Sequence, residues 1–330
     1  MLTADEAEAN RLSEDLRRLG SVTLLLPARD LSLRRVESTS REYEQQRLST
    51  LAAIAERGYD VVVAAADAAC QFTLPPEKLL DFTVDIVAGK RLPVASLSDT
   101  LVRAGYQRCE TIEGSGQFAV RGGIYDIFPS GASAPVRLEL WGDTVDTIAA
   151  FDLLTQRRTE PLDAVSIPPA AEILYDDPAG LADKIEQLAA GLRGKNAAIV
   201  RENLFADADR LRGGGQPASL DKYIPLLYPP ATLFSYAEDA VLFVSEPVKV
   251  RERMRTAGWQ LNEDIEALLE EGQLCRGLTT YAWDYDELVR CLHRRGCVLL
   301  DSFARTEQDF KLVGLYNITA RQLPVWSGSV

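Results

Sequence analysis

The spacing of hydrophobic positions changes along this chain, and the changes divide it. Between residues 4 and 19, Ala7, Leu12, Leu16 and Leu19 fall near helical spacing and predict a helix. The run from Ser21 to Pro27 then reads as a short apolar strand. A second helix is predicted from Arg41 to Arg57, with Leu48, Leu51 and Ile54 on one side and Gly58 as its stop. Asp60 to Ala64 reads as another apolar strand. Strand, helix and strand in that order predict a parallel unit buried on both faces. A unit this small has too little core to stand alone, so it should share a sheet with a later part of the chain.

Near Pro75-Pro76 the texture changes. From about Phe82 to Glu172 one helix (Ser96 to Ala104) precedes alternating strands broken by Gly, Pro and Asp, which predicts an α+β region of antiparallel hairpins. Beyond Asp177-Pro178, helices are predicted at 181–192, 203–211, 248–271 and 284–294. Between them, 240–245 and 297–301 read as buried strands, and Gly213–Gly215 and Pro229-Pro230 mark loops. The expected fold class is α/β. A parallel-sheet domain is built from residues 1–82 and 175–330, and an α+β hairpin domain, residues 83–174, is inserted between its two parts.

Within the insertion, Val136, Leu138 and Leu140 alternate with Arg137, Glu139 and Trp141. Strand side chains alternate between faces, so an inward apolar trio puts the other three on one outer face. Trp and Arg are enriched in binding hot spots, which makes such a row read as a docking surface. Outward side chains of this kind should also be removable at little cost in stability. Arg121 stands before Gly122-Gly123, and its spacing leaves two readings open. It is either a solubilising arginine beside a tight turn, or a guanidinium left uncovered so that a partner carboxylate can pair with it bidentately.

A longer pattern covers the same residues: Gly105-Tyr106, the run from Gly116 to Pro129 (GQFAVRGGIYDIFP), Arg137 to Asp143, Phe151 to Arg157, and Pro169 to Glu172. In this order it resembles the N-terminal region of the bacterial transcription-repair coupling factors, and a related module occurs in the excision-repair subunit UvrB. The resemblance implies a helicase-like domain split by an inserted domain that docks the damage-recognition subunit UvrA. It also implies that Arg121, Arg137, Glu139 and Trp141 lie on the UvrA-contacting positions. Trp141 departs from the usual phenylalanine. Ala119 stands where UvrB usually has a further arginine, which favours the coupling factors. Leu153-Leu154 replaces a usual Pro-Glu, a change with no functional account in the sequence. Family members carry another strand and a decayed phosphate loop before the first helix. They continue into domains that bind RNA polymerase and translocate on DNA. The expectation is therefore a module trimmed at both ends.

Composition and motifs narrow the chemistry. Hydrophobic residues make up 46% and charged residues 26% of 330, enough for about two or three soluble domains. No apolar run reaches membrane-spanning length. Five scattered cysteines suggest a reducing cytoplasm. A net charge of −13 argues against tight non-specific nucleic-acid binding. No Gly-x-x-x-x-Gly-Lys-Ser/Thr loop occurs. Where a helicase needs Asp-Glu-x-His after a strand, the chain has Ser245-Glu246-Pro247-Val248. Serine cannot replace the magnesium-holding aspartate, so Ser245 and Glu246 read as the remnant of a nucleotide site that has lost its chemistry.

Cys291, His293 and Cys297 lack a fourth ligand at finger-like spacing, and no metal or cofactor is expected. With one histidine in the sequence there is no Ser-His-Asp hydrolase set. Acidic pairs such as Glu270-Glu271 and Asp176-Asp177 suit solvated faces and helix ends. The expected function is non-catalytic recruitment of UvrA to stalled polymerase. The alternatives are a nucleotide-dependent helicase or nuclease whose phosphate loop lies upstream of Met1, and a DNA-binding module, which the acidic balance disfavours.

Overall fold

The computed structural model describes residues 1–31, 33, 42–194, 196–217, 219–303 and 308–318. The chain opens with β1 (Leu2–Thr3), α1 (Glu6–Arg18), β2 (Thr23–Leu26), α2 (Glu42–Ala55), β3 (Val61–Ala65), α3 (Ala66–Cys70) and α4 (Pro76–Phe82). The insertion follows with β4 (Val84–Val87), α5 (Val94–Arg103), β5 (Gln107–Arg108), β6 (Gln117–Arg121) and β7 (Ile124–Ile127). It continues through β8 (Val136–Trp141), β9 (Thr144–Phe151), β10 (Arg158–Leu162) and β11 (Ala164–Ile167). The remainder carries α6 (Pro178–Ala190), α7 (Ala197–Arg212), α8 (Ile224–Leu227), α9 (Leu233–Tyr236), β12 (Leu242–Ser245), α10 (Pro247–Glu270), α11 (Tyr285–Arg295) and β13 (Cys297–Leu300).

The first and last portions build one sheet, as the fold class expected. Its order is β13-β12-β1-β3-β2, and all its pairings are parallel. Two strands depart from expectation. Leu2 and Thr3 form a strand that no hydrophobic run predicts, at the centre of the sheet between β3 and β12. Two residues carry no readable period, so only tertiary pairing reveals them. β13, read as buried, is instead the sheet's last strand. Cys297 is half-buried, and Val298 and Leu300 are exposed, because packing covers only one side of an edge strand.

The insertion enters by β4 and leaves by β11. These strands pair antiparallel from Val84↔Ile167 to Val87↔Ala164, so the two connections lie side by side. Between them runs a six-stranded sheet, order β10-β9-β8-β7-β6-β5, antiparallel except for its β5–β6 pair. Phe118, Ile127 and Leu138 on its inner face share a buried cluster with Leu97 and Leu101 of α5. That cluster is continuous with the core of the parallel sheet at Leu48 and Val244. A second core joins α6 and α7 to the end of α10 (Ile265, Leu268) around Tyr223 and Tyr281.

Glu172 fastens the junction. Its side chain is wholly buried and accepts from Arg47 Nε at 2.7 Å and from Thr73 Oγ1 at 2.6 Å. It also lies 3.2 Å from Arg29 Nη1, and Arg29 reaches on to Asp221. Burial pulls the Arg29 guanidinium downward, but Glu172, Asp221 and Glu44 more than reverse it, so it titrates above its ordinary value. Residues from four separate stretches of the chain thus meet at one carboxylate.

Candidate interaction face

The face is built on β8. Val136 and Leu138 are buried on the inner side, and Leu140 packs at the margin of the same core. Arg137, Glu139 and Trp141 therefore occupy the other face, but they differ in how free they are. Trp141 is 85% exposed at the end of β8, opposite Thr144 across a turn whose Gly142 takes a left-handed φ of 58°. Its indole rests in water with little packing to justify it.

Arg137 is held by the protein itself, with only 16% of its side chain exposed. Directly opposite in the register lies Asp126, a carboxylate only 1% exposed. Arg137 donates to it twice, Nε to Oδ1 at 2.6 Å and Nη2 to Oδ2 at 2.9 Å. It also donates to the carbonyl and side-chain oxygens of Gln156 at 3.3 and 3.1 Å, and lies 4.5 Å over the Phe151 ring. The hydrogen bonds to Asp126 raise the Arg137 pKa against the opposing pull of burial. This corrects the expectation that Arg137 could be removed at little cost in stability. Losing it strips a buried carboxylate of its best partner, a change of about 2–5 kcal/mol where such pairs are well buried.

Arg121 shares the same carboxylate, donating from Nη2 to Asp126 Oδ2 at 2.7 Å, yet 53% of its side chain stays exposed. The neighbouring glycines have a local reason. Gly122 adopts φ +60°, and a Cβ on Gly123 would come within 2.8 Å of the Leu140 carbonyl oxygen, whose residue donates back to Gly123 at 2.9 Å. The turn explains the glycines and leaves the exposed guanidinium unexplained. Glu139 pairs with Arg158 of β10 and accepts from Thr147 Oγ1 at 3.2 Å, directly across the β8–β9 pair.

Asp126 went unnoticed in the sequence, although an aspartate inside an apolar strand run is itself a signal. Strand interiors disfavour it unless a cation meets it there. Phe151, Gln156 and Arg158 carried no such signal, since their role depends on strand register.

Ser245 and Glu246 stand elsewhere, at the carboxyl end of β12, beside the β1–α1 connection. Ligands of open parallel sheets bind at this end of the strands. Here the chain's own side chains bond to one another. Ser245 Oγ donates to Glu8 Oε1 at 2.8 Å, and Asp5 Oδ1 accepts from the Glu8 amide at 2.8 Å. Glu6 Oε1 accepts from the Ala28 amide at 2.8 Å. Glu246 takes φ 49° ahead of α10, and its carboxylate accepts from Ser302. The first turn of α1, where a phosphate would approach, is thus lined by Asp5, Glu6 and Glu8.

Cys291 is buried in the core, while His293 is exposed with Nε2 2.7 Å from the Asp309 carbonyl oxygen. Among the described residues, no cluster of three His, Cys, Asp or Glu side chains is arranged to hold a metal, and no helix is long and apolar enough to cross a membrane.

Residues 84–173 match the family model described as the UvrB interaction domain, which spans the insertion from β4 to just past β11. Along its whole length the chain is 28% identical to the transcription-repair-coupling factor of Bacillus subtilis, covering 29% of that protein. It is 28% identical to the transcription-repair-coupling factor of Haemophilus influenzae over 82% of this chain and 23% of the other. To the UvrABC system protein B of Thermotoga neapolitana it is 29% identical over 57% of this chain and 28% of that protein. The chain spans less than a third of the length of each of these relatives. It is homologous to the N-terminal region of the transcription-repair-coupling factors and of UvrB, and it carries their UvrB interaction domain.

Proposed function

We propose that this chain is a protein-binding module of transcription-coupled repair that recruits UvrA to stalled RNA polymerase and performs no chemistry itself. One observation carries the reading. The matched interaction domain, residues 84–173, contains the sheet face on which Arg121 and Trp141 stay open to solvent. Arg121 keeps donors to spare beyond its single bond to Asp126 and can grip a carboxylate of the partner. Trp141 supplies an apolar anchor. Arg137 acts through Asp126, holding the carboxylate that fixes Arg121, and Glu139 with Arg158 forms a pair at the rim.

The absence of catalysis is part of the proposal. A phosphate at the α1 N-terminus would face Asp5, Glu6 and Glu8, and the charge repulsion would outweigh the favourable helix dipole. This disfavours the helicase or nuclease alternative. Contacts with polymerase and DNA would fall to parts of the relatives beyond the span matched here, and the module would work in the cytoplasm. The test is titration of the purified chain with UvrA from the same organism, alongside magnesium–ATP. Saturable binding of UvrA without micromolar nucleotide binding is expected. No UvrA binding would refute recruitment, and saturable ATP binding would refute the loss of the nucleotide site.

A further inference from the structure

Leu154 is 94% exposed, at the tip of the turn joining β9 to β10. A lone exposed leucine is ordinary. This one is unusual because of what holds it. The Asp152 amide donates to the Arg157 carbonyl at 2.9 Å, and the Gln156 amide donates to the Asp152 carbonyl at 2.8 Å. Asp152 Oδ1 accepts from both the amide and the hydroxyl of Thr155, each at 2.8 Å. Gln156 has φ 58°, a conformation that a residue other than glycine keeps only when its surroundings fix it.

The turn is also bonded to the interaction face. Arg137 donates to both oxygens of Gln156, and Leu153 packs against Ile112, Ala119 and Phe151 on the outer side of the sheet. Of the two adjacent leucines, one is used by the fold and the other is presented to solvent on a rigid mount.

We propose that Leu154 is a second apolar anchor of this face, filling an apolar pocket on UvrA. The proposal rests on the reading that the face binds UvrA. Position supports it. The Phe151 amide bonds the Pro135 carbonyl, so the turn lies past the start of β8, while Trp141 closes the other end. At ~3.3 Å per residue the anchors are roughly 20 Å apart. An ordinary interface of about 800 Å² per partner would cover both, with Arg121, Asp126 and Arg137 between them. Two apolar anchors flanking a charged centre fit a partner that offers carboxylates between two apolar pockets. Both anchors also lie within the matched interaction domain.

The test titrates UvrA with the wild-type chain and with L154A, L154E, R121A and W141A, and melts each variant. L154E should weaken binding at least tenfold and L154A about threefold, with melting temperatures unchanged, since Leu154 has no packing to lose. If L154E melts lower than wild type, L154A alone decides. Wild-type affinity in the Leu154 variants, with weakened binding in R121A and W141A, would overturn the second anchor and leave the face intact. If none of the four variants weakens binding, or the wild type does not bind, both the anchor and the face are wrong.

Discussion

Glu172 and Asp126 are each gripped by two arginines, yet the two clusters serve different ends. At Glu172 both arginines are shut away from water. Arg47 is wholly buried and Arg29 nearly so, and Thr73 adds a hydrogen bond to the same carboxylate. At Asp126 one arginine is packed over Phe151, and the other extends into solvent with most of its donors unused. The first cluster draws on distant stretches of chain and fixes the insertion against the parallel sheet. The second lies within a few strands and positions a cation at the surface. Similar chemistry becomes a fastening where water is shut out, and a presenting device where one guanidinium keeps its access to water.

The sharpest way to break this contrast is to remove each carboxylate's grip in turn. Glu172→Ala leaves Arg29 and Arg47 buried without their shared counter-charge and should cost about 3–5 kcal/mol in denaturant unfolding. That is a large share of an ordinary stability of about 5–15 kcal/mol. A loss under about 1 kcal/mol would show that the junction does not depend on it. Arg137→Ala should cost less, about 2–3 kcal/mol, because Arg121 stays on Asp126 and the site is partly open. It should weaken UvrA binding as well. Loss of affinity at full stability would instead restore Arg137 as a free contact residue.

Trp141→Ala should reverse the balance. Affinity should fall at least about tenfold, or ~1.4 kcal/mol, with stability moving by under about 0.5 kcal/mol. A marked drop in melting temperature would mean that the indole is packed. The smallest effect concerns Asp152, whose carboxyl is held below its ordinary 3.8 by the Thr155 amide and hydroxyl. A depressed carboxyl contributes order above its unfolded value and loses it as pH falls through the folded one. The Thr155 amide resonance should therefore stay constant near neutrality and titrate only below 3.8. A midpoint above 3.8 would mean that the turn is not fastened in this way.

Much of this arrangement could be read from the chain. The period-two run Val136 to Trp141 gave the two faces of β8 directly, and the poverty of the first strand–helix–strand unit required a sheet shared with the end of the chain. Other features had no local signature. β1 is two residues long, and Arg29 meets Asp221 across 192 positions. The pairing of Arg137 with Asp126 depends on the β7–β8 register, which alternation alone does not specify. For the same reason Arg137 read as free, because the turn that covers it lies on another strand pair. Leu153 and Leu154 could not be told apart until the turn showed which one points into the fold.

Hydrogen–deuterium exchange of the chain with and without UvrA tests the central claim most directly, because it compares the face with the acidic start of α1 and the end of β12 in one measurement. The account expects slowed exchange over residues 152–162, the anchor turn and edge strand β10 beside the face. It expects no change around Thr3 to Glu8 or Ser245 to Lys249. Protection confined to those two segments, with 152–162 unchanged at saturating UvrA, would contradict it.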